Sequence, residues 1–149
     1  MSKRYIFKTE LKWTGFKRGS VSSPGKLNIG VATPPEFNGE DGYWSPEEML
    51  LSAVDSCIMT TFLHYAERKK VELEAYESQA QGVLEKLDNS FMFSKITVKP
   101  KIFVDSKEQG DSVNRLMALA EKNCFISNSI KAEVEVIPEI KVGVLNGQQ

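Results

Sequence analysis

The sequence predicts an α+β protein in which strands paired as hairpins form an antiparallel sheet against a long buried central helix. Polar and apolar residues alternate before residue 32 and after residue 73, as they do in half-buried strands. Between these segments, apolar side chains in 49–66 cover most of a helix circumference. The resulting order, β-β-α-β-β-α-β, groups its strands instead of alternating them singly with helices, which is typical of α+β folds.

The first two strands are expected to form a hairpin. Large side chains occupy alternate positions in 5–13, and the same period of two returns in 27–31. Glycine and proline interrupt the pattern between these segments and predict a long basic connection that contains Arg18. Residues 34–44 are rich in proline and glycine and are predicted to be a loop.

The central helix is predicted to begin after Ser45. The hydroxyl of Ser45 can accept a hydrogen bond from the backbone N–H of Glu48, and the Glu48 carboxylate can reach back to Ser45. Pro46 suits the first helical position because proline lacks an N–H that would be unpaired there anyway. Since the apolar residues cover more than one face, we expect both the sheet and a second subunit to bury this helix.

The same signals divide the rest of the chain into two strands, a second helix and a last strand, over residues 73–87, 91–104, 107–123 and 134–140. A turn at 88–90 joins the first two of these elements. Pro100 has no backbone N–H to donate to a neighbouring strand, so an edge or a bulge is expected there. Residues 143–149 are expected to be a frayed tail.

Length and charge favour one domain with small or protein partners. A chain of 149 residues can bury about 70% of its unfolded surface, so we expect a single domain over residues 1–149 with its core in 5–140. Lys and Arg number 19 against 20 acidic residues, which argues against nucleic acid or anionic lipid as partner.

The chain has no run of about 18 apolar residues and no secretion signal at its amino end. A cytoplasmic protein is therefore predicted, with no membrane contact.

The side chains available for redox or nucleophilic chemistry are two cysteines, Cys57 and Cys124, and a single histidine, His64. Two remote cysteines and one histidine offer no close set of soft ligands, so no metal site is expected. His64 follows Cys57 at a helical distance of about 10 Å, too far for a thiolate–imidazole pair. Each cysteine alone also fits as a small core side chain, but two thiols on separate elements suggest an attacking and a resolving sulfur.

Three segments resemble those of a known family. Residues 45–57 read S-P-E-E-M-L-L-S-A-V-D-S-C, residues 120–131 read A-E-K-N-C-F-I-S-N-S-I-K, and residues 13–23 read W-T-G-F-K-R-G-S-V-S-S. The first two resemble the signature segments of the OsmC/Ohr family of osmotically induced and organic hydroperoxide resistance proteins, and the third looks like its first hairpin. The resemblance implies an OsmC-like intertwined homodimer whose cysteine pair reduces organic hydroperoxides with the help of a glutamate and an arginine.

By position in these motifs, Cys57 looks like the peroxidatic thiol, Cys124 like the resolving thiol, Glu47 like the family glutamate and Arg18 like the arginine. A cation is needed because a free thiol, with a pKa of about 8.5, is mostly protonated at neutral pH. Glu47 precedes Cys57 by about 15 Å along one helix. It can therefore meet a reactive sulfur only through a kink, a bridging arginine or the partner subunit.

Four positions depart from the family pattern. Phe16 stands at the Ohr-type arginine and Glu36 lies near the OsmC-type arginine. Phe125 replaces a common proline, and Asp55 is an unusual charge close to the first cysteine. These departures leave two interpretations of Arg18 open, an activating cation or a solvated loop charge.

The leading hypothesis is a cytoplasmic homodimeric thiol peroxidase that reduces organic hydroperoxides to alcohols. A dithiol reductant of lipoyl or thioredoxin type would recycle it, and no organic or metal cofactor is required. The alternative is a catalytically weakened OsmC-like dimer that binds a small molecule or senses redox state through its cysteines. The role of Arg18 distinguishes the two.

Overall fold

The computed structural model describes residues 2–143, which divide into two compact units, 2–50 and 51–143. The single domain predicted from chain length stays a prediction. The predicted frayed tail, apart from Gly143, lies outside the described residues. The homodimer and the cytoplasmic location also stay predictions.

The first unit contains an antiparallel sheet of three strands paired in sequence order: β1 (Glu10–Gly15), β2 (Arg18–Ser22) and β3 (Ile29–Ala32). The prediction of one long connection here was wrong, because Arg18, which was placed in it, begins β2. A Cβ at Gly19 would lie 2.8 Å from the carbonyl oxygen of Lys12. This glycine therefore marks a close approach of two strands and not the break that sequence patterns associate with it.

The long helix, α1 (Pro46–Arg68), begins where the sequence predicts. The backbone N–H of Glu48 donates to the Ser45 hydroxyl at 3.1 Å, and the Glu48 carboxylate accepts from the Ser45 backbone N–H at 3.0 Å. These are the two reciprocal bonds of a capping box. Ser45 is 2% exposed, so its polar atoms depend on these bonds.

The second unit has a sheet of four strands and a second helix: β4 (Ala75–Leu87), β5 (Ser90–Val104), α2 (Lys107–Asn123), β6 (Glu133–Val136) and β7 (Glu139–Val142). β4 and β5 form an antiparallel hairpin, whose two-residue turn at Asp88 and Asn89 has positive φ at both positions. β6 and β7 run parallel to β5. The α+β class is confirmed, but the sheet is mixed and not wholly antiparallel.

The end of the chain differs from the single strand predicted there, because Ile137 and Pro138 separate two short strands. β5 pairs with β6 up to Val98 and with β7 from Lys101. Pro100 falls between these partners, on a central strand and not at an edge. The N–H that proline lacks is therefore not required where the neighbouring strand changes.

The core of the second unit forms around one stripe of α1, made of Val54, Ile58, Phe62 and Ala66. These residues are four apart and so share one helix face. Within 2–143, α1 is the one helix long and apolar enough to span a membrane by length and composition, a test that core helices of soluble proteins also pass. In this chain its apolar stripe packs into the core together with residues of β5 and α2.

The two helix caps allow a matched stability test. Ser45→Ala removes the acceptor of a buried capping box, whereas Ser106→Ala removes a single bond, from the Gln109 N–H at 3.2 Å. We expect losses of about 1–2 kcal/mol for Ser45→Ala and about 0.5–1 kcal/mol for Ser106→Ala in the free energy of unfolding, measured with urea. A Ser45→Ala protein as stable as the unmodified one would contradict the capping box.

Candidate active site

Cys57 and Cys124, which are remote in the sequence, lie side by side in the second unit. Cys57 packs against the core cluster that contains Cys124, each thiol shifts the pKa of the other, and both are free thiols. The two side chains are thus close neighbours, as disulfide formation between them would require.

Two helices position the thiols. Cys57 lies on α1, next to the buried stripe at Ile58, and is half-buried. Cys124 is the C-cap of α2 and is completely buried. The hydroxyl of Tyr65 on α1 accepts a hydrogen bond from the Asn123 side chain at 3.0 Å, so a polar contact joins the helices one residue before Cys124.

After α2 the chain turns sharply around the second cysteine. Cys124 has extended backbone angles, φ −69° and ψ 117°, and a short 3-10 helix follows at Ser127–Ser129. The Ser127 N–H donates to the Cys124 sulfur at 3.4 Å, and the Asn128 N–H donates to the Cys124 carbonyl at 3.0 Å. This turn directs the backbone N–H groups of Phe125 and Ile126 toward Cys57.

The environment of Cys57 favours its thiolate. Burial raises the pKa of Cys57, but hydrogen bonds outweigh this effect and leave the pKa below that of an ordinary thiol. The donors are, in decreasing order of effect, the backbone N–H of Ile126, the Cys124 and Thr61 side chains and the backbone N–H of Phe125. Thr61 lies one helical turn after Cys57, with its hydroxyl oxygen 3.9 Å from the sulfur. Hydrogen bonds to the charged form lower a pKa because they stabilise the anion.

Cys124 has the opposite tendency. Burial raises the pKa of Cys124, the Ser127 hydroxyl and N–H partly offset this rise, and the neighbouring Cys57 raises the pKa further. As pH rises, Cys57 is therefore the first thiol of the pair to lose its proton. The more exposed sulfur is thus also the more nucleophilic one.

Arg18 and Glu47, the other residues predicted from the sequence, belong to the first unit. Within the described part of that unit, Arg18 pairs with Glu40 and not with Glu47. Its Nη1 lies 2.7 and 2.9 Å from the two Glu40 carboxylate oxygens, and its guanidinium lies over the rings of Phe16 and Tyr43. Arg18 is therefore not the solvated loop charge of one interpretation, because it is held on β2.

Glu47 lies in the first turn of α1, where the helix dipole stabilises a negatively charged carboxylate. Its Oε1 atom is buried and has no hydrogen-bond partner among residues 2–143. The roles of Glu47 and Arg18 in catalysis stay predictions.

The sequence pattern did not predict the backbone donors at Phe125 and Ile126. Backbone groups carry no residue-specific signal, so they could be found only through the turn that orients them. One indirect signal was available. Proline, common at position 125 in the family pattern, has no N–H, whereas Phe125 supplies one.

Within the described residues no group of three or more His, Cys, Asp or Glu side chains could hold a metal ion.

The chain is similar to several known proteins. The family profile described as OsmC-like protein matches residues 39–139. The uncharacterized protein YmaD of Bacillus subtilis is 28% identical over 141 residues, covering 91% of this chain and 93% of that protein.

Solved structures share the fold. An OsmC-like protein of unknown function from Vibrio cholerae has a TM-score of 0.80 at 23% identity, covering 92% of this chain and 99% of its own. An organic hydroperoxide resistance protein OsmC from Legionella pneumophila has a TM-score of 0.72 at 23% identity, covering 95% of this chain and 100% of its own. From the matched family profile and these shared folds, we conclude that the chain belongs to the OsmC/Ohr family.

Proposed function

We propose that this protein is a thiol peroxidase that reduces organic hydroperoxides, with Cys57 as the attacking thiol and Cys124 as the resolving thiol. One observation carries the proposal: two free thiols are in contact, and their pKa values are shifted in opposite directions. A pair in which one sulfur is ionised and the other stays protonated has the asymmetry that attack followed by resolution requires.

The reaction has two steps. The Cys57 thiolate attacks the terminal oxygen of the hydroperoxide, an S–O bond forms as the O–O bond breaks, and the departing alkoxide takes up a proton to become an alcohol. Cys57 is then a sulfenic acid. The Cys124 thiol, as it loses its proton, attacks that sulfur, and an S–S bond forms while the hydroxyl group leaves as water.

Recycling requires an external dithiol, for which we propose a lipoyl or thioredoxin type. Its first thiolate attacks the disulfide to give a mixed disulfide, and its second thiol releases the protein with both cysteines reduced. The dithiol is oxidised in exchange.

The proposed substrate class rests on two observations. Phe125, whose backbone N–H faces Cys57, has a side chain that is 81% exposed. An exposed aromatic side chain near the sulfur favours a substrate with an apolar group over hydrogen peroxide. The similar Legionella protein is named an organic hydroperoxide resistance protein.

For activation of the thiol, we propose that backbone N–H groups act together with Arg18. The amides of Ile126 and Phe125 supply fixed partial positive charge at the sulfur. Arg18 and Glu47 are assigned to the same site on the family resemblance alone, to orient the peroxide during attack. Because Arg18 forms an ion pair with Glu40, part of its positive charge is already neutralised when it meets the peroxide.

A redox-responsive thiol pair without turnover is the second candidate. The observation that favours it is the ion pair between Arg18 and Glu40. In this pair the proposed catalytic cation already has a counter-charge within its own unit. In that case the disulfide would form and persist until reduced. Steady-state turnover, measured with a dithiol present, separates the two candidates.

The first prediction concerns the two sulfurs. With cumene hydroperoxide and excess dihydrolipoamide, the unmodified protein should consume peroxide over many turnovers, and Cys57→Ser should consume none. Without the dithiol, Cys124→Ser should react once and leave a sulfenic acid on Cys57, detectable by mass spectrometry after dimedone labelling. If the unmodified protein consumes no peroxide, the enzyme proposal fails. If it forms the disulfide but does not turn over, the redox-responsive candidate is correct.

The second prediction concerns the Phe125 amide. Phe125→Pro removes one donor to the Cys57 thiolate, and the extended backbone of Cys124 suits a residue before proline. The pKa of Cys57 should rise toward that of an ordinary thiol, and the rate of peroxide attack at pH 7 should fall by about tenfold, the effect of a hydrogen bond to a charged group.

Phe125→Ala is the matched control, because it removes the same ring and keeps the N–H. In the unmodified protein, the attack rate should increase as pH rises through the Cys57 pKa and reach its plateau above it. An ordinary thiol has its midpoint near pH 8.5, and the midpoint of Cys57 should lie below that value. Equal midpoints for Phe125→Pro and Phe125→Ala would exclude a role for this amide.

The third prediction concerns the cation. Arg18→Ala should lower the rate of peroxide attack by about tenfold or more if Arg18 orients the peroxide, because a charge-assisted hydrogen bond is lost. Arg115→Ala is the control, since Arg115 lies on the exposed side of α2. Stopped-flow measurement of Cys57 oxidation, with circular dichroism to verify folding, gives both rates. A folded Arg18→Ala protein that reacts as fast as Arg115→Ala would remove Arg18 from the site.

A further inference from the structure

The residue Asp55, unusual in the sequence pattern, lines a second pocket in the unit of residues 51–143. The pocket has a volume of about 290 Å³ and lies between α1 and β4. Asp55 and Cys57 are two positions apart on α1, and residues with this spacing do not share a helix face. The pocket is therefore separate from the thiol pair, and Cys57 does not line it.

Three polar side chains meet in this pocket without partners. The Asp55 Oδ1, Tyr76 hydroxyl and Ser78 hydroxyl are buried atoms, and none has a hydrogen-bond partner within residues 2–143. All three residues line the same pocket. Tyr76 and Ser78 are two apart on β4 and so point to the same face of the strand. Buried polar atoms without partners are rare in folded proteins, and three at one place indicate a site for a ligand.

The Tyr76 hydroxyl is held in position and stays neutral. Its ring packs against Phe62 in the core, with the ring centres 5.8 Å apart. Burial raises the pKa of Tyr76 well above its usual range, and the negative charge of Asp55 raises it further. The carboxylate is therefore near the hydroxyl, although the two do not form a hydrogen bond with each other.

The charges around the pocket select a cation. Asp55 is the charged side chain that faces it, since Glu77, which also lines it, points to the other face of β4, and no basic side chain lines the pocket. We propose that this pocket binds a primary ammonium group, held by the Asp55 carboxylate and the oxygens of the Tyr76 and Ser78 hydroxyls. An ammonium group has three N–H donors and no acceptor, which matches three converging oxygens.

Other cations fit less well. Calcium takes six to eight oxygen ligands, largely carboxylates and carbonyls, and the described part of the chain offers no set of three acidic or other metal-binding side chains. The pocket is below the volume usual for drug-sized ligands. Met59, an apolar and polarizable side chain, also lines it and suits a short aliphatic chain attached to the nitrogen.

An ammonium group of this kind has two sources: a free aliphatic amine, or the lysine side chain of another polypeptide, including a second copy of this chain. The chemistry at Asp55 is the same for both. The proposal is independent of peroxidase activity, because it rests on atoms that the thiol reaction does not use.

The test uses n-butylammonium chloride as the probe, titrated at constant ionic strength into the ¹⁵N-labelled full chain. We expect saturable shifts of the amide resonances of residues 52–59 and 76–78. Asp55→Asn should weaken binding by about tenfold or more, as expected for a lost bond between charged groups. Asp111→Asn, which removes the same charge from an exposed position of α2, should bind like the unmodified protein.

Chemical controls separate charge from hydrogen bonding. Tetramethylammonium has the charge without N–H donors, and 1-butanol has the chain without the charge, so neither should produce the same shifts. The melting temperature of the unmodified protein should rise with n-butylammonium, because a ligand of the folded state stabilises it, and that of Asp55→Asn should not. Tyr76→Phe and Ser78→Ala should each weaken binding while keeping the fold.

The source of the ammonium group is read from sedimentation. If n-butylammonium binds without changing the oligomeric state, a free amine is supported. If it dissociates an oligomer, and Asp55→Asn does the same, a lysine of a second copy is the occupant and the ammonium site is again supported. Shifts absent from the pocket residues, equal affinity for Asp55→Asn, or equal binding of 1-butanol would each overturn the proposal.

Discussion

Burial of one stripe of α1 is the constraint on which the chemistry of the second unit depends. Val54, Ile58, Phe62 and Ala66 enter the core together with residues of β5 and α2, and this packing fixes the rotation of α1 about its axis. Cys57, next to Ile58, is thereby held at the margin of the core, facing the end of α2, where it remains half-buried. Rotation of α1 by one residue would move the thiol away from Cys124, so the same apolar contacts that stabilise the fold also form the site.

The thiol pair illustrates how environment differentiates two identical side chains. Hydrogen-bond donors surround the Cys57 sulfur, among them the backbone N–H groups of Phe125 and Ile126 in the turn after α2. These donors lower the pKa of Cys57. Cys124 lies deeper, and burial together with the neighbouring Cys57 raises its pKa. The turn between α2 and the 3-10 helix at Ser127–Ser129 serves both thiols, since it places donors at each sulfur. A short segment of backbone thus contributes to the environment of both thiols.

α1 also carries polar groups on its other faces. Asp55 points to a pocket beside the edge strand β4 and Cys57 to the end of α2, so one helix serves two separate environments. The first unit has its own charged arrangement, in which Glu40 and two aromatic rings surround Arg18. Arg18 therefore has its counter-charge, Glu40, within its own unit.

The sequence by itself determined the α+β class, the start of α1, the span of α2 and the family, because capping residues, helical periodicity and the signature segments are local signals. It did not determine β2, the division of the last strand, or the parallel pairing of β6 and β7. In those places glycine and proline act through neighbouring strands: Gly19 allows a close approach, and Pro100 coincides with a change of partner. Only the tertiary structure decided that Cys57 and Cys124 touch, that the Phe125 and Ile126 amides face the thiol, and that Arg18 pairs with Glu40. Each of these is a contact between residues distant in sequence or between backbone groups, and residue identity carries no information about either until the chain is folded.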